Sequence, residues 1–541
     1  MKLVLLQPPI QDFYHTEVRL IPLGLAYLQA AVKKHLPGVE VTIKDFHHGR
    51  GRRTAALPRE LDYLGQYWRQ PDQSPFSTFH QYFHFGADFE TLAREVAAER
   101  PDLVGISCLF TPYFREALAA ARTIKKHWPA FLVMGGHHVT AAPLSVLSDP
   151  NVDFIIRGEG ERPLVELLSA LMDGRELGRV PNLGYKTESG PVLNPREENY
   201  PLAELPWPDL SDLPPERYLY QGQPLCSLTV SRGCPHHCAF CSVHLTFGHE
   251  HRRRQPEDVV EEILRRLDQG YRVFDFEDDN LSWDRPGFMA LLRTIIARLT
   301  PGRAAFTAMN GLSYPTLDRE MLALMKRAGF LHLDLSLVSA SGLTLWRLDR
   351  PHTLDRFLEV IQAARDLDFR VTAYQIIGLP HEDLETISGA LALLTRLPVF
   401  IGASIFYLPP GCALAAERPA GDEADFVKAR STALAIETEH FSRDDLYTLF
   451  ITSRIVNFLK GLPTGSGEST LAEALTAAEK KGSRSRLGAE ILRRLIKEKR
   501  LYAAVRRGRE PLPRFKADLF FQVLGRAGRV ASPAGGEIKW T

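Results

Sequence analysis

Two long stretches of this chain alternate short apolar runs with amphipathic ones, a pattern that restricts it to parallel sheets covered by helices. In the first 190 residues the strand-like runs are Leu3–Leu6, Val39–Ile43, Leu103–Cys108, Phe131–Met134 and Phe154–Ile156. Helix-like periodic stretches stand at Leu23–Lys34, Phe114–Lys126 and Glu161–Met172. This block is expected to fold as an α/β, doubly wound, Rossmann-like parallel sheet. The second block runs through Leu228–Ser231, Arg272–Phe276, Ala305–Ala308, Leu333–Leu337, Val371–Ile377 and Ile401–Leu408. Open parallel sheets and barrels both gather ligands at the carboxyl ends of their strands. Residues placed there are the first candidates for function.

With 541 residues, 45% of them hydrophobic and 24% charged, the chain has material for about three ordinary globular cores. The divisions expected are 1–195 for the first block, a Pro-rich extended linker at 196–222, 223–420 for the second block, and a basic helical region at 421–541. A net charge of +1 argues against bulk nucleic-acid binding. No run approaches ~18 uninterrupted apolar residues, so no membrane span is expected. The opening MKLVLLQPPIQDF reads as a strand and not as a signal peptide.

Three of the six cysteines fall in one run, Cys234-Pro-His-His-Cys238-Ala-Phe-Cys241. Thiolates at this spacing in one loop can share a single metal centre, and soft sulfur ligands suit an iron–sulfur cluster. A [4Fe–4S] cluster takes four ligands, of which the loop supplies three, so one iron stays open to a ligand that is not protein. Structural zinc is the alternative, although it usually takes four protein ligands in paired spacings. Such a loop needs reducing conditions, which points to the cytoplasm. Cys108, Cys226 and Cys412 are scattered singly, too few for a second cluster, and read as small buried hydrophobes.

The run resembles the CxxxC-x-aromatic-C signature of the radical S-adenosylmethionine (SAM) superfamily, with Phe240 at the aromatic position. The resemblance implies a partial (β/α)6 TIM barrel over the second block. It also implies that SAM binds the open iron and is cleaved to a 5′-deoxyadenosyl radical. By the same resemblance Glu277 and Asp278, in the acidic run after the second strand, are candidates for the SAM ammonium group. A solvated acidic turn is the plainer alternative. Asn310, Ser336, Ser339, Gly378, Glu382 and Tyr407 are further SAM-binding candidates at the ends of later strands, and Arg350 is one for the SAM carboxylate. Val338 stands where the family often has Glu. Arg252 and Arg254 after the loop are expected either to reach another domain or a carboxylate, or to pair in solvent with Glu257 or Asp258.

Ser107-Cys108-Leu109 and Gly135-Gly136, at the ends of successive strands, resemble the SxL and GG elements of cobalamin-binding Rossmann-like domains. With His137, Gly158 and Glu159 they form the candidate cobalamin site. The resemblance explains the glycines by backbone approach to the corrin. The DxHxxG motif of that family is missing after the first strand. Asp45-Phe-His47-His48-Gly49 follows the second strand with other spacing and reads as a loop. An aromatic insertion at 50–88, with Tyr63, Tyr67, Trp68, Phe76, Phe79 and His80 among its members, is expected to form a small helical cap with its own core, or a lid.

Together these features imply a cobalamin-dependent radical SAM enzyme that methylates an unactivated carbon. Its partners would be a small-molecule or lipid substrate and an external low-potential donor such as flavodoxin or ferredoxin, with no nucleic acid. Radical coupling, cyclisation or rearrangement is the rival chemistry, and a non-catalytic iron–sulfur or corrinoid carrier is the rival class. Residues 471–541 hold 17 Lys and Arg against 7 Asp and Glu. Such an excess is expected either as a solvated helical face or as a peripheral contact with anionic lipid.

Overall fold

The computed structural model describes residues 1–14, 21–67, 71–77, 79, 81–197, 200–416, 422–462 and 467–540. Trp68 and His80 lie outside the described residues. The chain forms two compact units: Met1–Ala56, Tyr82–Phe306 and Leu408–Ala429 make the first, and Leu57–Gln81, Thr307–Tyr407 and Arg430–Thr541 the second.

In the first unit, seven strands form one sheet: β1 (Lys2–Gln7), β2 (Glu40–Asp45), β3 (Leu103–Ser107), β4 (Phe131–Gly135), β5 (Phe154–Ile156), β6 (Leu183–Thr187) and β7 (Gly190–Leu193). Their spatial order is β7-β6-β5-β4-β3-β1-β2. The five strands β1 to β5 run parallel, and β6 and β7 add an antiparallel edge. Position in the sheet explains composition. β1, between two neighbours, is buried from Leu3 to Gln7, whereas β2 at the edge alternates buried Val41, Ile43 and Asp45 with more open residues. Central parallel strands are covered on both faces and need continuous apolar runs.

The Pro-rich stretch is seated on this sheet and does not hang free. Asp212 accepts from Gln29 Nε2 at 2.6 Å and from the Ile43 amide at 2.8 Å, and Asp209 pairs with Lys33 at 2.6 Å. Leu213 and Tyr218 enter the hydrophobic core of the sheet. Tyr218 also donates to Asp45 at 2.7 Å, which lies 2.8 Å from His48 Nδ1 and accepts from the His47 amide at 2.8 Å, so the Asp45–His48 loop is a buried, hydrogen-bonded corner.

The first unit continues with β8 (Gln223–Leu228), β9 (Ser231–Arg232), β10 (Arg252–Arg253), β11 (Val273–Phe276) and β12 (Ala305–Thr307). β8 and β11 pair in parallel, with Leu225 opposite Val273 and Leu228 opposite Phe276. The strand expected at Leu228–Ser231 thus lies earlier, and Ser231 belongs to a separate antiparallel pair with Arg253. The break falls there because the backbone at 230 and 231 is bonded by an acidic side chain in place of a neighbouring strand, as described below.

In the second unit, β13 (Leu333–Val338), β14 (Val371–Ile377) and β15 (Phe400–Ile405) form a parallel sheet. The C-terminal region is mostly helical, with helices Arg443–Lys460, Leu471–Lys481, Ser483–Glu498 and Ala517–Ala527. It also carries two small sheets that helical periodicity did not reveal. The basic region expected as helical is interrupted: the helix Ser483–Glu498 stops at Lys499, with φ +55°, and the chain resumes as strand Tyr502–Val505.

Among its described residues the aromatic insertion is divided between the two units, contrary to the cap with its own core that was expected. Its ends, Arg52–Thr54 and Phe83–Phe85, pair in a three-stranded sheet of the first unit. Its middle belongs to the second, where Tyr63 donates to the Ala433 carbonyl at 2.5 Å, Tyr67 donates to Asp444 at 2.6 Å and Phe76 packs edge-on against Phe458. Tyr67, Phe76 and Phe79 pack their rings on the helix Arg443–Lys460. That helix ends in a buried Lys460 whose ammonium donates to the carbonyls of Leu394, Thr395, Leu397 and Ala531 at 2.6 to 3.0 Å. Three of these close the helix Leu384–Arg396, where terminal carbonyls lack intrahelical partners and attract cations. Lys460→Met is expected to lower stability by about 2–3 kcal/mol, the order expected for stranding buried acceptors, with the melting point by scanning calorimetry as the check.

Candidate functional site

Between β9 and β10 the chain carries the three cysteines on a loop with almost no regular structure, only the single turn His244–Phe247. Its entrance depends on Gly233, at φ +87°, where a Cβ would lie 2.1 Å from the Glu250 carbonyl. Only glycine lets the two arms of the loop close so tightly. Inside it, the Cys241 amide donates to the Cys238 carbonyl at 2.9 Å. Cys238 is buried and Cys234 and Cys241 are partly so.

The acids after β11 hold this loop in place. Asp278 is buried; one oxygen accepts from the Ser231 amide and from Ser231 Oγ, and the other from the Val230 amide at 3.3 Å. Asp279 accepts from the Gly233 amide at 3.0 Å. Burial pushes Asp278 up to about 7, and its hydrogen bonds oppose this only in part. Asp278, expected as an ammonium ligand, is therefore committed to the backbone beneath the cysteines, because buried amides need acceptors. Glu277 differs. It continues the parallel ladder through its amide to the Leu228 carbonyl, its side chain is half-exposed, and Ser227 Oγ lies 3.3 Å away. Of the acidic run, this carboxylate best suits an ammonium group.

The donor set fits an iron–sulfur cluster. Burial, the neighbouring thiols and Asp279 together push the Cys241 thiol up to about 11. Three thiolates can coexist here only if cations arrive with them, which iron supplies. Asn280 Nδ2 faces Cys234 Sγ at 3.7 Å, while Asn280 Oδ1 is buried without a hydrogen-bond partner, an acceptor suited to a donor brought by a ligand. Among the described residues no three His, Cys, Asp or Glu side chains converge on one metal-ion position. A cluster takes each thiolate on a different iron.

The ends of β3 and β4 lie in the same unit. Ser107 is half-buried, and after it Leu109 and Phe110 are 41% and 44% exposed, an apolar pair at a strand end that suits a flat corrin ring. Gly136 is also required within the chain itself. At φ +119° its Cβ would stand 2.6 Å from the Cys108 carbonyl, so the chain's own crossing takes the space. Gly135 is less crowded, with the Ile156 carbonyl at 3.7 Å. His137 sits between Thr246 Oγ1 and Ser242 Oγ, 2.9 Å from each, and burial lowers its pKa to about 4. A neutral imidazole donates to one hydroxyl and accepts from the other. His137 thus faces the cysteine loop, and so does Gly158, which packs by the Thr246 carbonyl. Glu159 is buried against Arg232 and Arg252. Three residues expected to meet cobalamin are therefore turned toward the cysteine loop.

Arg254 does not pair in solvent. It is buried, 2.7 Å from both Asp258 and Glu262. Arg232 was missed altogether, since a single arginine before a Gly-Cys pair gives no local signal.

In the second unit, Ser339 and Glu382 are buried and bonded to each other at 2.6 Å. Burial pushes the Glu382 carboxyl up to about 7, against the hydrogen bonds from Ser339 and Thr344 that lower it. The two side chains are each other's partners inside the protein. Gly378, φ +85°, packs against Leu446 and Phe441, where a Cβ would sit 2.8 Å from Leu446 Cδ2. Asn310 is exposed, and Ser336 and Tyr407 are half-buried, with the Ser336 carbonyl accepting from Arg350 at 2.9 Å. Val338 ends β13 at φ +69° beside a register shift, a strained conformation for a β-branched residue.

A three-thiolate loop after the first strand of a second α/β block, with a parallel sheet ahead of it, defines a class of iron–sulfur proteins built on two α/β layers. Comparison with known proteins narrows the class. The description of the radical SAM superfamily matches residues 228–394, and that of the B12 binding domain matches 71–168. An uncharacterized methyltransferase of Pyrococcus horikoshii is 30% identical over 317 residues, 58% of this chain and 68% of the relative. Cytidylyl-2-hydroxyethylphosphonate methyltransferase of Streptomyces wedmorensis is 27% identical over 414 residues, 70% and 73% of the two chains. In fold, the chain is similar to the radical SAM methyltransferase TsrM of Kitasatospora setae, solved with cobalamin and a [4Fe–4S] cluster. The TM-score is 0.59 at 18% identity, covering 77% of this chain and 74% of that one.

The chain belongs to the radical SAM superfamily, among the members that carry a B12-binding domain. It is a radical SAM enzyme, and its family cofactors are a [4Fe–4S] cluster, SAM and cobalamin. Replacing Cys234, Cys238 or Cys241 by Ala is expected to remove the broad absorbance near ~400 nm and the bound iron of anaerobically prepared protein, while Cys226→Ala keeps both.

Proposed function

We propose that this enzyme transfers a methyl group to an unactivated carbon of a small-molecule or lipid substrate, drawing electrons from a flavodoxin or ferredoxin in the cytoplasm. The observation that carries this reading is that one compact unit holds both the three-cysteine loop and the strand ends of the B12-binding sheet. When bound, the reduced cluster and SAM supply a carbon-centred radical and the corrinoid supplies the methyl group. The chain's own residues hold and orient. Cys234, Cys238 and Cys241 take the cluster, Glu277 the SAM ammonium, Leu109 and Phe110 one apolar face of the corrin. Ser107, Gly135 and Gly136 shape the strand ends beside it, and Asn310, Ser336 and Tyr407 remain the candidates for the rest of SAM. No side chain is needed as a general base, because hydrogen leaves as an atom; the protein's part is alignment and exclusion of water.

Methyl transfer is supported over ring closure by coverage: similar methyltransferases match 58% and 70% of this chain, and the similar anaerobic magnesium-protoporphyrin IX monomethyl ester cyclases 48% to 55%. The test is anaerobic purification followed by mass spectrometry of host metabolites and lipids with and without the protein. About one cobalamin per chain, 5′-deoxyadenosine under strong reductant and a product heavier by one methylene are the expected results. A product lighter by two hydrogens would move the assignment to radical coupling, and no SAM cleavage would leave only a carrier.

Among the described residues no helix is long and apolar enough to cross a membrane. Arg484, Arg486, Lys497, Arg500, Arg506 and Arg507 are all exposed on the C-terminal region, which supports a peripheral contact with anionic lipid as part of the same proposal. Co-sedimentation with phosphatidylserine vesicles should fall with salt and fall further in Arg506→Glu/Arg507→Glu; binding to neutral vesicles alone, or no binding, would remove the lipid surface from the proposal.

A further inference from the structure

The hairpin that carries the cysteine loop contains an electrostatic conflict. Its two strands are only two residues long, and their register sets Arg232 directly opposite Arg252. Like charges facing each other across a ladder repel, and these two side chains are only 6% and 8% exposed, so water screens them little. The carboxylates bonded or paired to them come from far upstream, 73 and 71 residues before Arg232, and Asp279 adds its attraction to both arginines from the acidic run after β11. Glu159 Oε1 accepts from Arg232 Nη1 at 2.8 Å, and Glu161 Oε1 accepts from Arg232 Nη2 at 2.6 Å. The second oxygen of Glu159 lies 3.0 Å from Arg252 Nη1, close enough to pair in charge though not aligned as a hydrogen bond. Arg252 directs its Nη1 to the Tyr200 carbonyl at 2.6 Å. Tyr27 and Phe247 cover the Arg232 guanidinium, with ring centroids at 5.0 and 5.1 Å.

A second grip lies on the other side of the cysteines. His137 bridges Ser242 and Thr246, and Arg196 donates to the Leu245 carbonyl at 2.7 Å. Arg232 stands two residues before Cys234 and Ser242 one residue after Cys241, so the run of three thiols is fastened at both ends to the B12-binding sheet.

We propose that Glu159 and Glu161 are positioning residues that clamp the cysteine loop to the B12-binding sheet, so that occupancy of the corrin end stabilises the cluster end. This rests on the reading above that one unit seats both cofactors. Two reactive centres that must meet one substrate gain rate from fixed geometry, and a hairpin of two residues cannot fix it alone. The acids replace a longer ladder with buried, bridging charge. Glu159 is the more exacting of the two, since it faces both arginines.

The experiment follows iron release to a chelator from anaerobically reconstituted protein, by loss of the ~400 nm band, with and without hydroxocobalamin. In the native protein cobalamin is expected to slow release by about fivefold or more, the usual scale of coupling between two sites. Glu159→Gln should release iron faster and lose the cobalamin effect. Glu159→Asp should recover part of both, and Glu159→Gln combined with Arg252→Met should recover the slow release, because the cross-strand repulsion is gone. A folded Glu159→Gln variant that keeps the native rate, or a native rate indifferent to bound cobalamin, overturns the clamp. Should Glu159→Gln fail to fold, hydrogen exchange in the native protein decides: amides of residues 231–233 and 252–254 are expected to slow on cobalamin binding, and unchanged exchange overturns the proposal. Native protein that takes up no cobalamin defeats the methyl-transfer reading, while iron release from Glu159→Gln still decides the clamp.

Discussion

A loop that must hold three thiolates cannot also be a strand or a helix, and so its shape has to be imposed from outside. Here buried carboxylates impose it. Asp278 takes the amides of Val230 and Ser231, and Asp279 takes that of Gly233, which fixes the backbone immediately ahead of Cys234. Those acids follow β11, whose parallel register with β8 is set by apolar residues in the sheet. The position of the first thiol therefore depends on a strand pairing several residues away, through hydrogen bonds that burial makes expensive to leave unmade.

The B12-binding sheet plays a double part. Its strand ends carry an exposed apolar pair, Leu109 and Phe110, and also the residues that reach the cysteine loop, His137, Glu159 and Glu161. Gly136, at the same strand end, is also where the chain crosses itself at Cys108. A glycine pair at a strand end therefore admits more than one physical explanation, and only the neighbouring atoms distinguish them.

Much of the fold was legible because it rests on local pattern. The five parallel strands of the first sheet lie within about two residues of the apolar runs that marked them, the antiparallel edge β6 and β7 went unmarked, and β14 lies on its run from Val371 to Ile377. Patterns that depend on distant partners misled. The aromatic insertion had the composition of a small core, yet its rings are buried against the helix Arg443–Lys460, hundreds of residues later. The stretch after Glu498 kept helical periodicity but turned into a strand once Lys499 took a left-handed conformation. Ser339 and Glu382 stood at the ends of strands, as site residues do, and face each other inside the protein.

The chain's own order of residues settled that three thiols share one loop, that an acidic run follows the next strand, and that two α/β blocks succeed one another. Each of these depends on spacing along the backbone, which folding does not alter. Tertiary structure alone decided what each charge does. Asp278 became an anchor and Glu277 a half-exposed carboxylate, though they are neighbours in sequence, because one side chain is buried at the backbone and the other reaches the surface. Arg232 and Glu159 acquired a role only through each other, since a buried charge takes its meaning from whatever folding brings opposite it.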